Sequence, residues 1–215
     1  MKHKIQFLQF YISNTCNLAC PNCVSFNNLA FKGHFSFDQK NAQAWADIID
    51  AHEVAIIGGE PFGNPWLKDW VEGLKIFNCE DFRISTNGTY IKQYEQQVLD
   101  WVSQNINIDI SCHSPKVYNE LWDWVNIHFK NLIQVEHEEE YNHVTYRFSN
   151  GNGWVQLRNA YHFVPNAVKY IENGVIHMHN NNPEVAHSTC GWSDCHYIVD
   201  GRLYKCCVTA AGPQL

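Results

Sequence analysis

Cys16-x3-Cys20-x2-Cys23 is the tightest cluster of reactive side chains in the chain. Three thiolates can each bind one iron of a 4Fe-4S cluster and leave the fourth iron without a protein ligand, open to a small molecule. The competing use of the same thiols is a structural zinc site completed by a distant Cys or His. Gly58-Gly59-Glu60-Pro61 and Ser85-Thr86-Asn87-Gly88 follow later. Their glycines let a backbone approach a ligand closely. Near the end, Cys190, Cys195, Cys206 and Cys207 bracket HYIVDGRLYK, where Asp200-Gly201 between apolar runs predicts a β-hairpin that brings its cysteine-bearing ends together. Two groups at opposite ends predict two separate sites; Cys79 reads as a buried thiol.

The elements that must hold these residues alternate. Strands are predicted at 5–12, 54–59, 82–86 and 107–112, and helices at 38–50, 65–77, 90–103 and about 115–129. Ser36 or Asp38 is the expected cap of the first helix, and Pro65 suits the first turn of the second. NLIQVEHE, HVTYRFSN and GWVQLRNA read as further strands, 166–173 as a short helix, and 180–183 as a loop. This βαβ alternation predicts an α/β fold on a parallel sheet. A complete (β/α)8 barrel takes about 250 residues, so 215 residues suit a partial, TIM-like (β/α)6 barrel over 1–185 with a small cysteine-rich extension over 186–215. The three N-terminal motifs each follow a strand, at the end where such barrels place their active sites.

Composition narrows the partners. The formal net charge is -7 and no Lys/Arg-rich run is present, so nucleic acid is not expected. No stretch approaches 18 apolar residues and the first residues lack a long apolar signal core, so no membrane partner is expected and the protein is read as cytoplasmic. Nine cysteines in such a setting favour metal or cluster ligation over disulfides.

Cys16-x3-Cys20-x2-Cys23 followed by Gly58-Gly59-Glu60-Pro61 and Thr86-Asn87-Gly88 resembles the signature of the radical S-adenosylmethionine (SAM) superfamily. The resemblance implies a 4Fe-4S cluster on Cys16, Cys20 and Cys23 whose open iron chelates SAM, and reductive cleavage of SAM to a 5'-deoxyadenosyl radical that abstracts hydrogen from a substrate. It further implies that Glu60 holds the SAM amino group, that Gly58, Gly59 and Pro61 shape the backbone approach, and that Ser85, Thr86 and Asn87 floor the site. Ser111 and His113 are expected near the SAM ribose, and Arg147, with Arg158, near the SAM carboxylate or an anionic substrate. The family often has an aromatic residue just before the third cysteine; here it is Asn22, with Phe26 as a substitute.

Cys190-x10-Gly201-x4-Cys206 resembles the start of the SPASM and twitch extensions, which implies a second, auxiliary Fe-S cluster on some of Cys190, Cys195, Cys206 and Cys207. A zinc knuckle on the same thiolates, with His196 as an alternative ligand, remains the other reading. Among family members with such extensions, peptide and protein modification is common, so a peptide or protein substrate is expected, with a small metabolite or nucleoside as the alternative. An electron donor such as flavodoxin or ferredoxin is implied. Outside the enzyme class, a zinc-stabilised binding module would use both cysteine groups structurally.

Overall fold

The computed structural model describes all residues except 21, 22, 24, 26, 28–31, 139–142, 162–167, 174, 179, 181, 189, 191, 192 and 212–215. Strand β1 spans His3–Tyr11, and helix α1 (Gln39–Ile48) leads to β2 (Ile49–Ile57). Helix α2 (Leu67–Leu74) leads to β3 (Asp81–Thr86), α3 (Glu95–Ser103) to β4 (Ile106–Cys112), and α4 (Pro115–His128) to β5 (Asn131–Glu138). Strands β6 (His143–Ser149) and β7 (Trp154–Asn159) follow, then the pair β8 (Val168–Glu172) and β9 (Val175–Met178). Helix α5 (Pro183–Ser188), β10 (Cys195–Val199), β11 (Arg202–Tyr204) and α6 (Cys207–Ala211) follow.

Helix starts follow local chemistry. The Asp38 carboxylate accepts from the Lys40 and Asn41 amides at the head of α1, and the Ser114 hydroxyl accepts from Val117 N with Pro115 in the first turn of α4. Such caps each contribute about 1 kcal/mol.

One nine-stranded sheet runs in the order β11-β10-β1-β2-β3-β4-β7-β6-β5. From β10 through β7 all pairings are parallel, while β11, β6 and β5 are antiparallel additions at the two edges. The α/β class and the large parallel sheet are as expected, but this order is not a succession of six strand–helix units. After α4 the chain turns back as the antiparallel meander β5-β6-β7, and β10 joins β1 from the other side. Short connections explain the meander: a parallel neighbour needs a crossover of a dozen or more residues, and a hairpin does not.

The expected helix at 166–173 is instead β8, hydrogen-bonded antiparallel to β9. Val168, Tyr170 and Ile171 favour extended backbone, and Asn173 adopts the left-handed conformation (φ 51°) that turns the chain into β9. The Asp200-Gly201 hairpin forms as predicted, both residues at positive φ (45° and 74°).

Alternation gives the sheet two different faces. Leu8, Phe10, Val54, Ile56, Ile84, Ile108, Ile110, Val155 and Leu157 are buried under Ala42 and Ala46 of α1, Val71 of α2, Trp101 of α3 and Trp124 of α4. The opposite face is largely polar: Gln9, Arg83, Ser85, Asp109, Ser111, Gln156 and Arg158 occupy paired positions across adjacent strands. A second, smaller apolar cluster of Phe7, Tyr11, Ala55, Cys195, Tyr197, Val199 and Ala210 lies on that face beneath β1 and β10.

Candidate functional site

The ladder between β1 and β2 continues past both strands and stitches the cysteine loop to the glycine loop. Ile12 N donates to Ile57 O at 2.9 Å, Gly59 N to Ser13 O at 2.6 Å, and Glu60 N to Thr15 O at 2.9 Å. A Cβ on Gly58 would lie 2.9 Å from both Ser13 N and Ser13 O, and one on Gly59 would lie 2.6 Å from the Thr15 carbonyl carbon and overlap its oxygen. Both glycines are therefore required by close backbone approach. The stretch 13–34 is closed by Ser13 Oγ against His34 Nδ1 at 2.9 Å and by Gly33 N donating to Thr15 Oγ1 at 2.9 Å.

A cavity of about 260 Å³ opens here. Cys16, Cys20 and Cys23 line it together with Gly58 and Gly59 after β2, Ser85, Thr86 and Asn87 around the end of β3, and Ser111 and His113 at the end of β4. Motifs separated by up to 97 positions in the sequence, from Cys16 to His113, thus share one space at the carboxyl ends of four adjacent parallel strands. Leu18, Ser25, Asn27 and Ile57 also line it and were not anticipated. Asn27 carries no spacing signal, yet its amide donates to Tyr11 Oη (2.9 Å) and Asn14 O (2.8 Å) and its oxygen faces Cys23 Sγ (3.6 Å). Asn22 and Phe26 lie outside the described residues.

Two of the thiols, Cys16 and Cys20, are held against ionisation. Burial pushes Cys20 up to about 11, helped by the charges of Cys23 and Cys16, and burial raises Cys16 as well. Ligation by a cationic centre would reverse that repulsion and release the protons. Among the described residues no three His, Cys, Asp or Glu side chains converge closely enough for a single metal ion. A cubane cluster does not ask for such convergence, because each thiolate takes a different iron. Soft thiolates lining a half-enclosed cavity beside two backbone-exposing glycines fit that group.

Glu60 lies behind the cavity wall. It is 1% exposed and does not line the cavity. Its Oε1 accepts from Phe62 N (3.1 Å) and Thr86 Oγ1 (2.7 Å), and its Oε2 from Asn87 N (2.8 Å). The carboxylate braces the glycine loop against the Thr86-Asn87 turn. Burial pushes Glu60 up to about 7 against those three donors. The linkage has a definite sign: a raised carboxyl binds its proton more tightly folded than unfolded, so this stabilisation is complete below about 4.5 and is lost as pH rises through 7. Wild-type stability measured by urea unfolding is expected to fall by about 3 kcal/mol across that window relative to Glu60→Gln. Parallel profiles for the two proteins would refute the assignment.

Arg147 also stands elsewhere. On the antiparallel β6 it pairs with Gln156, lower on the sheet than the Thr145–Arg158 pair nearest the strand ends. Its Nε and Nη2 donate to Gln156 Oε1 and its guanidinium stacks 4.5 Å above the Trp154 ring. It does not reach the cavity lining. Arg158 is fixed by Nε to Thr145 Oγ1 at 3.2 Å, in register with Ser111. His113 donates Nδ1–H to Ala160 O at 2.8 Å, and burial lowers its affinity for a second proton, so it presents a neutral ring to the cavity. Pro61 is buried and opens a short 3-10 turn, Pro61–Gly63.

The tail cysteines are dispersed in burial. Cys190 is exposed, Cys195 is buried in β10, and Cys206 and Cys207 are half-buried at the head of α6. The Tyr197 hydroxyl is hydrogen-bonded to both Cys195 and Cys207, and Cys206 Sγ lies 3.5 Å from Thr209 Oγ1. His177 sits on β9, and residue 179 lies outside the described residues. Cys79 is half-buried with its thiol donating to Asp81 O.

No family model matches the chain. Curated relatives are GTP 3',8-cyclases. That of Alkaliphilus oremlandii is 25% identical over 125 residues, covering 55% of this chain and 38% of the relative. That of Limosilactobacillus fermentum is 28% identical over 131 residues, with 56% and 38% covered. A probable GTP 3',8-cyclase of Methanococcus maripaludis is 22% identical over 126 residues, with 58% and 42% covered. The matches thus span about two fifths of the length of these relatives. The similarity to GTP 3',8-cyclases thus covers just over half of this chain, at 22–28% identity in these three.

Proposed function

We propose that the chain is a radical SAM enzyme acting on a small nucleotide or nucleoside. The observation that carries the reading is the shared cavity: three thiols, two glycines and the Ser85–Asn87 turn line one space. Cys16, Cys20 and Cys23 would hold the 4Fe-4S cluster, which when bound with SAM supplies one-electron reductive cleavage of the sulfonium. The chain's own residues do the rest. Gly58 and Gly59 bring backbone to the cavity wall, Ser111 offers a hydroxyl and His113 a neutral ring to a ribose, and the Glu60 brace holds two loops in register.

The relatives favour the nucleoside alternative over the peptide or protein substrate, since GTP stands in their names. In this reading the tail cysteines Cys190, Cys195, Cys206 and Cys207 serve a second Fe-S cluster in the extension over 186–215, and a flavodoxin- or ferredoxin-type donor supplies electrons. No helix among the described residues is long and apolar enough to cross a membrane.

Anaerobic reconstitution followed by iron, sulfide and zinc counts, with an assay for 5'-deoxyadenosine from SAM and dithionite, tests the reading. About eight irons would support two clusters and about four only the N-terminal one. 5'-Deoxyadenosine formation should rise with GTP or another nucleoside and not with peptides. Zinc without SAM cleavage would replace the reading with a metal-stabilised binding module.

A further inference from the structure

We infer that Asn87 is a positioning residue that sets the reduction potential of the N-terminal cluster by donating an N–H hydrogen bond to the Cys16 sulfur; the inference rests on the proposed cluster ligation. Asn87 is 7% exposed, and its Nδ2 lies 3.7 Å from Cys16 Sγ, within reach of the larger sulfur acceptor.

The orientation of that amide is over-determined. Asn87 Oδ1 accepts from the Thr89 backbone N–H (3.0 Å) and the Thr89 hydroxyl (2.6 Å). A backbone N–H can only donate, so the oxygen must face Thr89 and the NH2 must face the other way. There it finds Asn17 Oδ1 at 2.9 Å and Cys16 Sγ. Asn17 closes the ring by donating its own Nδ2 to Thr89 Oγ1 at 2.8 Å. The Glu60 brace fixes the backbone of the same residue, since Asn87 N donates to Glu60 Oε2.

Cys16 Sγ receives two N–H groups, the Asn87 amide and Leu18 N at 3.4 Å, and also faces Asn17 Oδ1 at 4.0 Å. Donors to a thiolate ligand stabilise the more negatively charged, reduced cluster and raise its potential. Asn87 therefore makes the cluster easier to reduce, and it does so through Cys16, before SAM is bound.

The test is an EPR-monitored redox titration of the reconstituted full chain without SAM, for wild type, Asn87→Asp and Thr89→Val, with iron counts and apo melting temperatures alongside. Asn87→Asp keeps the Thr89 contacts and replaces the donor with an acceptor, so its midpoint should shift to more negative potential at unchanged iron content. Thr89→Val releases the amide from the hydroxyl and should shift the midpoint less, in the same direction. Identical midpoints in all three overturn the inference. If Asn87→Asp loads no iron, Thr89→Val decides alone: a negative shift supports the role and none refutes it. A wild type that loads no iron instead refutes the cluster ligation beneath it.

Discussion

Gly59→Ala is expected to lower the melting temperature of the chain by roughly 6–12 °C and to impair reconstitution of the N-terminal site. The added methyl would overlap the Thr15 carbonyl, which is backbone and cannot rotate away. It also meets a segment held on both sides, because Gly59 N donates to Ser13 O and Glu60 N to Thr15 O. Relief requires breaking that stitch, so the cost belongs at the upper end of overpacking, about 3 kcal/mol. For a chain of this size, each kcal/mol lowers the melting temperature by about 2–4 °C. Gly63→Ala is the control. It lies four residues after Gly59, where a Cβ would meet only the Tyr90 and His34 rings at 3.9 and 4.0 Å. A change within about 0.5 kcal/mol is expected there. Equal melting curves for the two variants would show that the glycine loop is not constrained by the cysteine loop.

The contrast between those glycines marks what a linear reading can see. GGEP and the cysteine spacing were legible because residue type and separation both carry meaning, and the strand–helix alternation through α4 carried them to the same end of the sheet. Direction was not legible. A run such as HVTYRFSN announces a strand, but its antiparallel placement follows from a short connection and from which edge is free, and that placement sets Arg147 opposite Gln156. The partner of β1 was equally hidden, since β10 enters from almost the whole chain length away. The resemblance names Glu60 but not its neighbours, the three donors from two loops that determine where its carboxylate goes. Asn17, Asn27 and Thr89 matter through side-chain amide and hydroxyl geometry, which leaves no periodic trace. The 166–173 segment failed for another reason: local preference was ambiguous, and the turn at Asn173 settled it in favour of a hairpin.

Cys20→Ala is expected to abolish SAM cleavage while leaving the fold intact. Cys20 lies half-buried in the loop after β1, outside both apolar clusters, so its loss should change apo stability by about 0.5 kcal/mol or less. Its chemistry is not replaceable in the same way. With three thiolates each assigned to one iron, two leave a second iron without a protein ligand, and Asn27, Ser25 and Asn87 along the same wall offer no sulfur in compensation. 5'-Deoxyadenosine formation should fall to background, and the iron count should drop by about four. Cys195→Ala provides the opposite case. Cys195 is 3% exposed, packed in the smaller apolar cluster, and does not line the cavity. Its truncation should cost stability through packing and lower the iron count if the tail binds a cluster, yet leave SAM cleavage without substrate largely unchanged. Measuring both variants under one reconstitution protocol separates the two cysteine groups. Retained cleavage in Cys20→Ala would remove the N-terminal thiols from the reaction, and loss of cleavage in Cys195→Ala alone would move the chemistry to the tail.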